Sequence, residues 1–143
     1  MILRLRQIHQ DQIRAHVEAG YPAEACGIFL GREVDGVKIV ERLWLADNRW
    51  ADPTEQTHRF LIPPEEVLAA EREAAAAGLE ILGFFHSHPD HPARPSNFDR
   101  EHAWPWYAYL IVSVENGRAT DWRVWELSED RSAFMERRLE IVP

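Results

Sequence analysis

The run LEILGFF, residues 79–85, is strand-sized, mostly apolar and followed without a break by His86-Ser87-His88-Pro89. Such a run reads as a central strand buried on both faces, so it carries the chain straight from a core into a polar loop. Side chains two apart on an extended segment point to the same side, and both imidazoles can therefore converge on one point. Pro89, Pro92 and Pro95 then stiffen the loop through their fixed φ. That rigidity lowers the entropy cost of returning a third group to the pair. Any fold for this chain has to be built around that strand.

The rest of the chain supplies the layers. Residues 7–19 set Ile8, Ile13 and Val17 near one face, with Gly20-Tyr21-Pro22 as a stop, and predict a first helix. CGIFLG and VKIVERLWL predict two strands around the turn REVDG. A polar loop with Asp47, Asn48, Asp52 and Pro53 follows, then HRFLI as a short strand, then a second helix opened by Pro63-Pro64 and ended by Gly78. After the histidine loop come a short helix from about Ser96 to Trp104, a hairpin of YAYLIVSV and TDWRVWEL across Glu115-Asn116-Gly117, and a final segment FMERRLEIV. No repeat, linker or compositional break divides the chain, so residues 1–143 read as one domain. The order predicts an α+β (α/β layered) fold with a mixed, largely antiparallel sheet flanked by helices.

Composition excludes several functions. The formal net charge is −8 and no basic run is present, which leaves nothing to make the phosphate contacts that nucleic-acid binding needs. Apolar runs stay far below the roughly 20 residues of a membrane span, and MILRLRQIHQ turns polar too soon for a signal peptide. The expectation is a cytoplasmic protein without membrane contact. Cys26 is the only cysteine, so a bound metal must be held by histidine and carboxylate.

Asp99, eleven residues after His88, is the natural third ligand. Two histidines and one carboxylate suit zinc and leave a fourth tetrahedral position open to water, the pattern of a catalytic site. Ser96 and Asp99 also have a complete structural account, because SNFD matches a capping box with Ser96 as N-cap. The two roles coexist for Ser96 if its backbone caps while its hydroxyl faces the site. Other zinc enzymes fail on chemistry: deaminases need Pro-Cys-x-x-Cys, and zincins need His-Glu-x-x-His on a helix.

The combined spacing of His86-Ser87-His88-Pro89, Arg94-Pro95 and Ser96-x-x-Asp99 resembles the JAMM (MPN+) motif of the JAB1/MPN/Mov34 zinc metallopeptidases. Glu24 in PAEACGIFLG stands where that family has an upstream glutamate. Asn48 with HRFLIPPEE, and YLIVSV…WRVWEL, extend the resemblance over nearly the whole chain. The resemblance implies a JAMM/cytidine-deaminase-like fold, with Zn2+ held by His86, His88 and Asp99. It implies that Glu24 is the general base for zinc-activated water and that Ser96 donates to the developing oxyanion.

The compact chain is similar to the bacterial and archaeal branch, whose members act on small ubiquitin-like sulfur-carrier proteins ending in Gly-Gly. Those members trim residues beyond that end or release an amino acid such as cysteine. An extended Gly-Gly tail can add to a sheet edge, and glycine lets its backbone approach a metal closely. The partner implied is such a carrier, and the reaction is hydrolysis of the amide bond after Gly-Gly. A homodimer stays open. Two other readings are a non-catalytic scaffold, against which the complete Glu24, His86, His88, Ser96 and Asp99 set argues, and a peptidase of cell-wall or other peptides. His91 and His102 read as exposed loop and helix-face residues, Cys26 as a small buried thiol, and the tryptophans mostly as core.

Overall fold

The computed structural model describes all of residues 1–143. Its elements are β1 (Ile2–Arg6), α1 (Gln7–Gly20), β2 (Cys26–Val34), β3 (Val37–Ala46), a 3-10 turn at Pro53–Glu55, α2 (Pro64–Ala76), β4 (Glu80–Pro89), α3 (Asn97–His102), β5 (Ala108–Glu115), β6 (Arg118–Leu127) and β7 (Phe134–Val142). The strands close on themselves in the order β1-β3-β2-β4-β5-β6-β7.

Closure corrects the expected largely antiparallel, layered sheet. β2 pairs antiparallel with β3 and β4, and β6 with β5 and β7, but β1 runs parallel to both β3 and β7, and β4 parallel to β5. The cause is β1, which the sequence reading left unassigned. Leu3 and Leu5 are fully buried while Arg4 and Arg6 are not, the alternation of a half-buried strand. Placed between β3 and β7, it removes both exposed edges of the sheet.

Two cores cover the sheet. On one face Leu3, Leu5, Phe29, Phe85, Leu110 and Val112 pack with Ile13 and Val17 of α1. On the other, Cys26, Ile28 and Leu30 pack with Ile62 and with Ala70 and Ala74 of α2. β4 is therefore covered on both faces, as its apolar run required, and a fully buried side chain such as Phe85 contributes about 1.5–3 kcal/mol by leaving water. Gly83 permits the tight approach of β4 to β5: a Cβ there would stand 1.9 Å from the Ala108 carbonyl oxygen.

Three local expectations change. HRFLI is extended but joins no sheet, because other groups satisfy its backbone: the Asn48 side chain donates to Arg59 O (2.9 Å) and accepts from Leu61 N–H (3.2 Å), and Arg49 N–H donates to Leu61 O (3.0 Å). The helix expected at 96–104 is shorter, Asn97–His102 with Ser96 as its cap. The turn in REVDG narrows to Asp35-Gly36, both at positive φ, so the flanking strands run on to meet it. The hairpin across Asn116-Gly117 forms with positive φ at both residues. No helix is long and apolar enough to cross a membrane.

Candidate metal centre

A parallel pair of strands needs a long crossover, and β4 and β5 are joined by residues 90–107, which carry α3. That excursion brings Asp99 back over the end of β4. His86 Nε2 lies 3.1 Å from Asp99 Oδ1, His88 Nε2 lies 3.1 Å from Asp99 Oδ2, and the two Nε2 atoms are 3.1 Å apart. All three side chains are buried. These are the three residues of the chain whose ligand atoms gather in this way.

The donor set fits a small divalent cation. His88 Nδ1 lies 2.8 Å from the Pro92 carbonyl oxygen, which can only accept, so the proton sits on Nδ1 and Nε2 presents its lone pair to the cluster. His88 Nε2 and the carboxylate thus bring electron pairs together, with His86 Nε2 beside them; His86 Nδ1 is buried without a hydrogen-bond partner. Their mutual spacing is close to the roughly 3.3–3.4 Å expected between ligands that each stand about 2.0–2.1 Å from a tetrahedral zinc. Phe60 stacks on the His86 ring at 4.6 Å and fixes its plane. Burial pushes the Asp99 carboxyl up, but in the metal-free protein a charged His86 beside it and N–H groups turned toward it from the two imidazoles, which a metal would displace, outweigh burial and hold it well below the usual carboxylate range.

Ser96 and Asp99 form the expected capping box. Ser96 N–H donates to Asp99 Oδ2 (2.9 Å) and Asp99 N–H donates to Ser96 Oγ (3.1 Å). The Ser96 oxygen is used as an acceptor, which leaves its O–H free to donate. The cap is made by the Ser96 side chain as well as by its backbone, not by the backbone alone as expected.

Glu24 stands at the entry to β2, only 4% exposed, with Oε1 buried and without a hydrogen-bond partner. Burial, and then the Asp99 carboxylate, push its carboxyl up to about 9. Its backbone is clamped from two sides. Glu24 N–H donates to Gln56 O (2.7 Å) and Asn48 Nδ2 donates to Glu24 O (2.9 Å). From β4, Ser87 Oγ accepts from Ala25 N–H (2.8 Å) and Ser87 N–H donates to Ala25 O (3.0 Å).

Sequence reasoning missed this clamp. Ser87 lies between two ligands on a strand, so its side chain points to the opposite face; the alternation was the signal that could have found it. Of the remaining histidines, His102 donates from Nδ1 to Phe98 O (2.8 Å) and borders the groove described next, without touching Asp99. His91 is exposed. Cys26 is fully buried and its thiol is pushed up to about 12, chiefly by burial. Trp104 and Trp106 depart from the core expectation: they are 52% and 60% exposed and stack on each other at 5.3 Å. With Trp50, Phe60, Phe98, Tyr107 and Tyr109, Trp104 lines an apolar groove of about 450 Å3 beside the ligand cluster.

The raised Glu24 carboxyl has a consequence for the metal-free protein. Its folded value of about 9 exceeds the reference 4.5, so its contribution to stability is fully present below about pH 4.5 and is lost as pH rises toward 9. The loss runs at about 1.4 kcal/mol per pH unit across that window. Thermal unfolding under a chelator should show stability falling from pH 5 to pH 8, with Glu24→Gln flattening the slope. Equal slopes for both proteins would contradict the assignment.

Residues 6–128 match the family described as prokaryotic homologs of the JAB domain. A desampylase of Haloferax volcanii is 35% identical over 116 residues, which cover 78% of this chain and 79% of that protein. A probable TtuB-protein conjugate cleaving protease of Thermus thermophilus is 31% identical over 109 residues, covering 76% of this chain and 68% of its own length. The tail tip assembly protein K of Escherichia phage N15 is 34% identical over 117 residues, 79% of this chain but 42% of that longer protein. Among solved structures, a protein of Desulfitobacterium hafniense superposes with a TM-score of 0.82 at 31% identity, covering 99% of this chain and 92% of its own. The structure described as JAMM, a metalloprotease-like zinc site in the proteasome and signalosome, shares the fold at a TM-score of 0.58 and 16% identity, over 100% of both chains.

Proposed function

The chain belongs to the family of prokaryotic homologs of the JAB domain, and on that premise we propose that it is a zinc-dependent peptidase or isopeptidase cleaving the amide bond after the C-terminal Gly-Gly of a small ubiquitin-like protein. The observation that carries this reading is the pairing of two features at one place. His86, His88 and Asp99 gather three ligand atoms, and the buried, unpartnered Glu24 carboxyl stands close enough to Asp99 to feel its charge. A scaffold has no use for a carboxyl kept dry beside a ligand cluster, since an unpartnered buried polar group costs about 1–3 kcal/mol. The conjugate-cleaving relative of Thermus thermophilus supports the substrate class.

His86 Nε2, His88 Nε2 and one oxygen of Asp99 would hold the ion. Zinc bound there supplies Lewis acidity, toward the scissile carbonyl and toward the attacking water. Glu24 Oε1 takes the proton of that water and passes it to the leaving nitrogen, which departs as the amine. Ser96 O–H donates to the carbonyl oxygen as negative charge develops on it. The clamp of Asn48, Gln56 and Ser87 fixes the backbone on which Glu24 is mounted, and the apolar groove borders the site.

Ser96→Ala is expected to lower kcat by about 10²–10³ and, through the lost cap on α3, stability by about 1 kcal/mol. Zinc content should not change. A stability loss alone, with kcat intact, would confine Ser96 to capping. The reading as a whole is tested by incubating a ubiquitin-like protein extended beyond Gly-Gly with the enzyme before and after chelation. Cleavage should stop when metal is removed and return with added zinc. Cleavage that survives complete metal removal would overturn it.

A further inference from the structure

Tyr21 joins the two loops on which the proposed chemistry is mounted. Glu24 lies three residues after it, in the connection from α1 to β2, whereas His88 and Asp99 flank the loop that leaves β4. Tyr21 O–H crosses from the first loop to the second and donates to Asp90 Oδ2 at 2.6 Å. Asp90 follows His88 by two residues. The phenol is not needed to end α1, because the Tyr21 backbone N–H already donates to Glu18 O (3.4 Å).

Asp90 is a firm anchor for that bond. Its φ of +56° is left-handed, a conformation that a residue other than glycine keeps only where surrounding contacts hold it. Here Asp90 N–H donates to Val114 O (2.8 Å) and Oδ1 accepts from Asn116 N–H (2.9 Å), both in the β5–β6 hairpin. Oδ2 is left for the phenol. The Tyr21 ring is half-buried against the core that α1 covers, and it lies 3.8 Å from where a Cβ on Gly117 would stand, on the turn of the same hairpin. Between Tyr21 and Glu24, Pro22 fixes its φ and Ala23 N–H donates to Gly20 O (2.9 Å), so little slack separates the phenol from the Glu24 carboxyl.

We infer that the Tyr21–Asp90 hydrogen bond is a positioning device, which ties the Glu24 loop to the ligand loop and sets the Glu24 carboxyl at its working distance from the ligand cluster. This inference rests on the function proposed above and adds to it a residue that acts through Glu24 rather than on the substrate. Asn48, Gln56 and Ser87 hold the backbone at Glu24 and Ala25. The Tyr21 bond restrains the same loop three residues earlier, against the segment that runs from His88 to Asp99. A group that transfers protons has to keep its place closely, since a misplacement of about 1 Å can cost about 10² in rate. A loop that is loosened rather than displaced forfeits part of that factor.

Tyr21→Phe keeps the ring and removes only the bond. On a ubiquitin-like carrier extended beyond Gly-Gly, kcat of the zinc-loaded variant should fall about 10-fold, with KM and zinc content unchanged, the pattern of an interaction that matters only in the transition state. Asp90→Asn should keep most of the rate, because an amide can bond a phenol through either of its polar atoms. In a Glu24→Gln background Tyr21→Phe should cost nothing further, since the two act as one unit. Hydrogen exchange of the metal-free protein gives a readout independent of turnover. The Glu24 and Ala25 amides, which donate to Gln56 O and Ser87 Oγ, should exchange about 10-fold faster in Tyr21→Phe, while the Leu110 amide in β5 keeps its rate. Unchanged exchange at Glu24 and Ala25 overturns the inference, as does faster exchange at Leu110 as well, which would make the bond a general support of the fold. An equal loss of rate in the Glu24→Gln background, or in Asp90→Asn, also overturns it. Failure of the zinc-loaded parent protein to hydrolyse the carrier overturns the function proposed above, and the inference with it.

Discussion

Replacing Glu24 by Gln is expected to lower kcat by about 10²–10⁴, the usual contribution of general acid–base catalysis, while the bound zinc stays at one per chain. The substitution is nearly isosteric and the three ligand atoms belong to other residues, so the ion keeps its site. What is lost is a proton acceptor at Oε1, an atom that is buried and makes no hydrogen bond within the chain. The neutral amide also removes the proton uptake that folding forces on Glu24, whose carboxyl is pushed up to about 9, so the metal-free variant should unfold at a higher temperature than the parent above neutral pH. Loss of turnover with gain of stability is the signature of a residue held for chemistry rather than for folding. Metal content by mass spectrometry and kcat on the same preparation check the first part. Near-normal hydrolysis by Glu24→Gln would remove it as proton carrier.

His88→Ala should lose the ion altogether. With three protein ligands gathered at one point, removal of one leaves an imidazole and a carboxylate, and hydrolysis falls with occupancy. His88 is the cleaner choice over Asp99, whose Oδ2 also accepts from Ser96 N–H at the start of α3. A ligand that binds only the folded state stabilises it by about 4 kcal/mol at a free concentration 1,000 times its Kd. The parent protein should therefore gain several degrees in Tm on zinc addition, whereas His88→Ala should gain none. Stoichiometric zinc retained by His88→Ala would contradict the ligand set.

The sequence made the strand leading to the histidines legible because LEILGFF had to be buried on both faces, and the structure covers it on both. The ring closure was not legible. It depends on Ile2–Arg6, a five-residue strand whose Leu-Arg alternation is too short to stand out beside the helix that follows at once. HRFLI looked like a strand for the opposite reason. Its β-prone residues are extended, but the partners of its backbone are the side chain of Asn48 and the backbone of Arg49, which no local pattern announces.

At the site, the gathering of His86, His88 and Asp99 follows from spacing along one strand and one stiff loop, and was legible for that reason. The support for Glu24 was not. It comes from Asn48, Gln56 and Ser87, which lie 24, 32 and 63 residues further along the chain and meet Glu24 and Ala25 only through the fold. The exposed Trp104 and Trp106 were missed because an apolar side chain at a groove rim reads, one residue at a time, like core.

The central claim is hydrolysis of the bond after Gly-Gly at this site. Its most direct test is the intact mass of a ubiquitin-like carrier extended beyond Gly-Gly, recorded before and after incubation with the zinc-loaded protein and with Glu24→Gln in parallel. The account predicts a carrier that ends at Gly-Gly, produced by the parent protein and absent with the variant. An unchanged mass in both, or cleavage at any other bond, would contradict it.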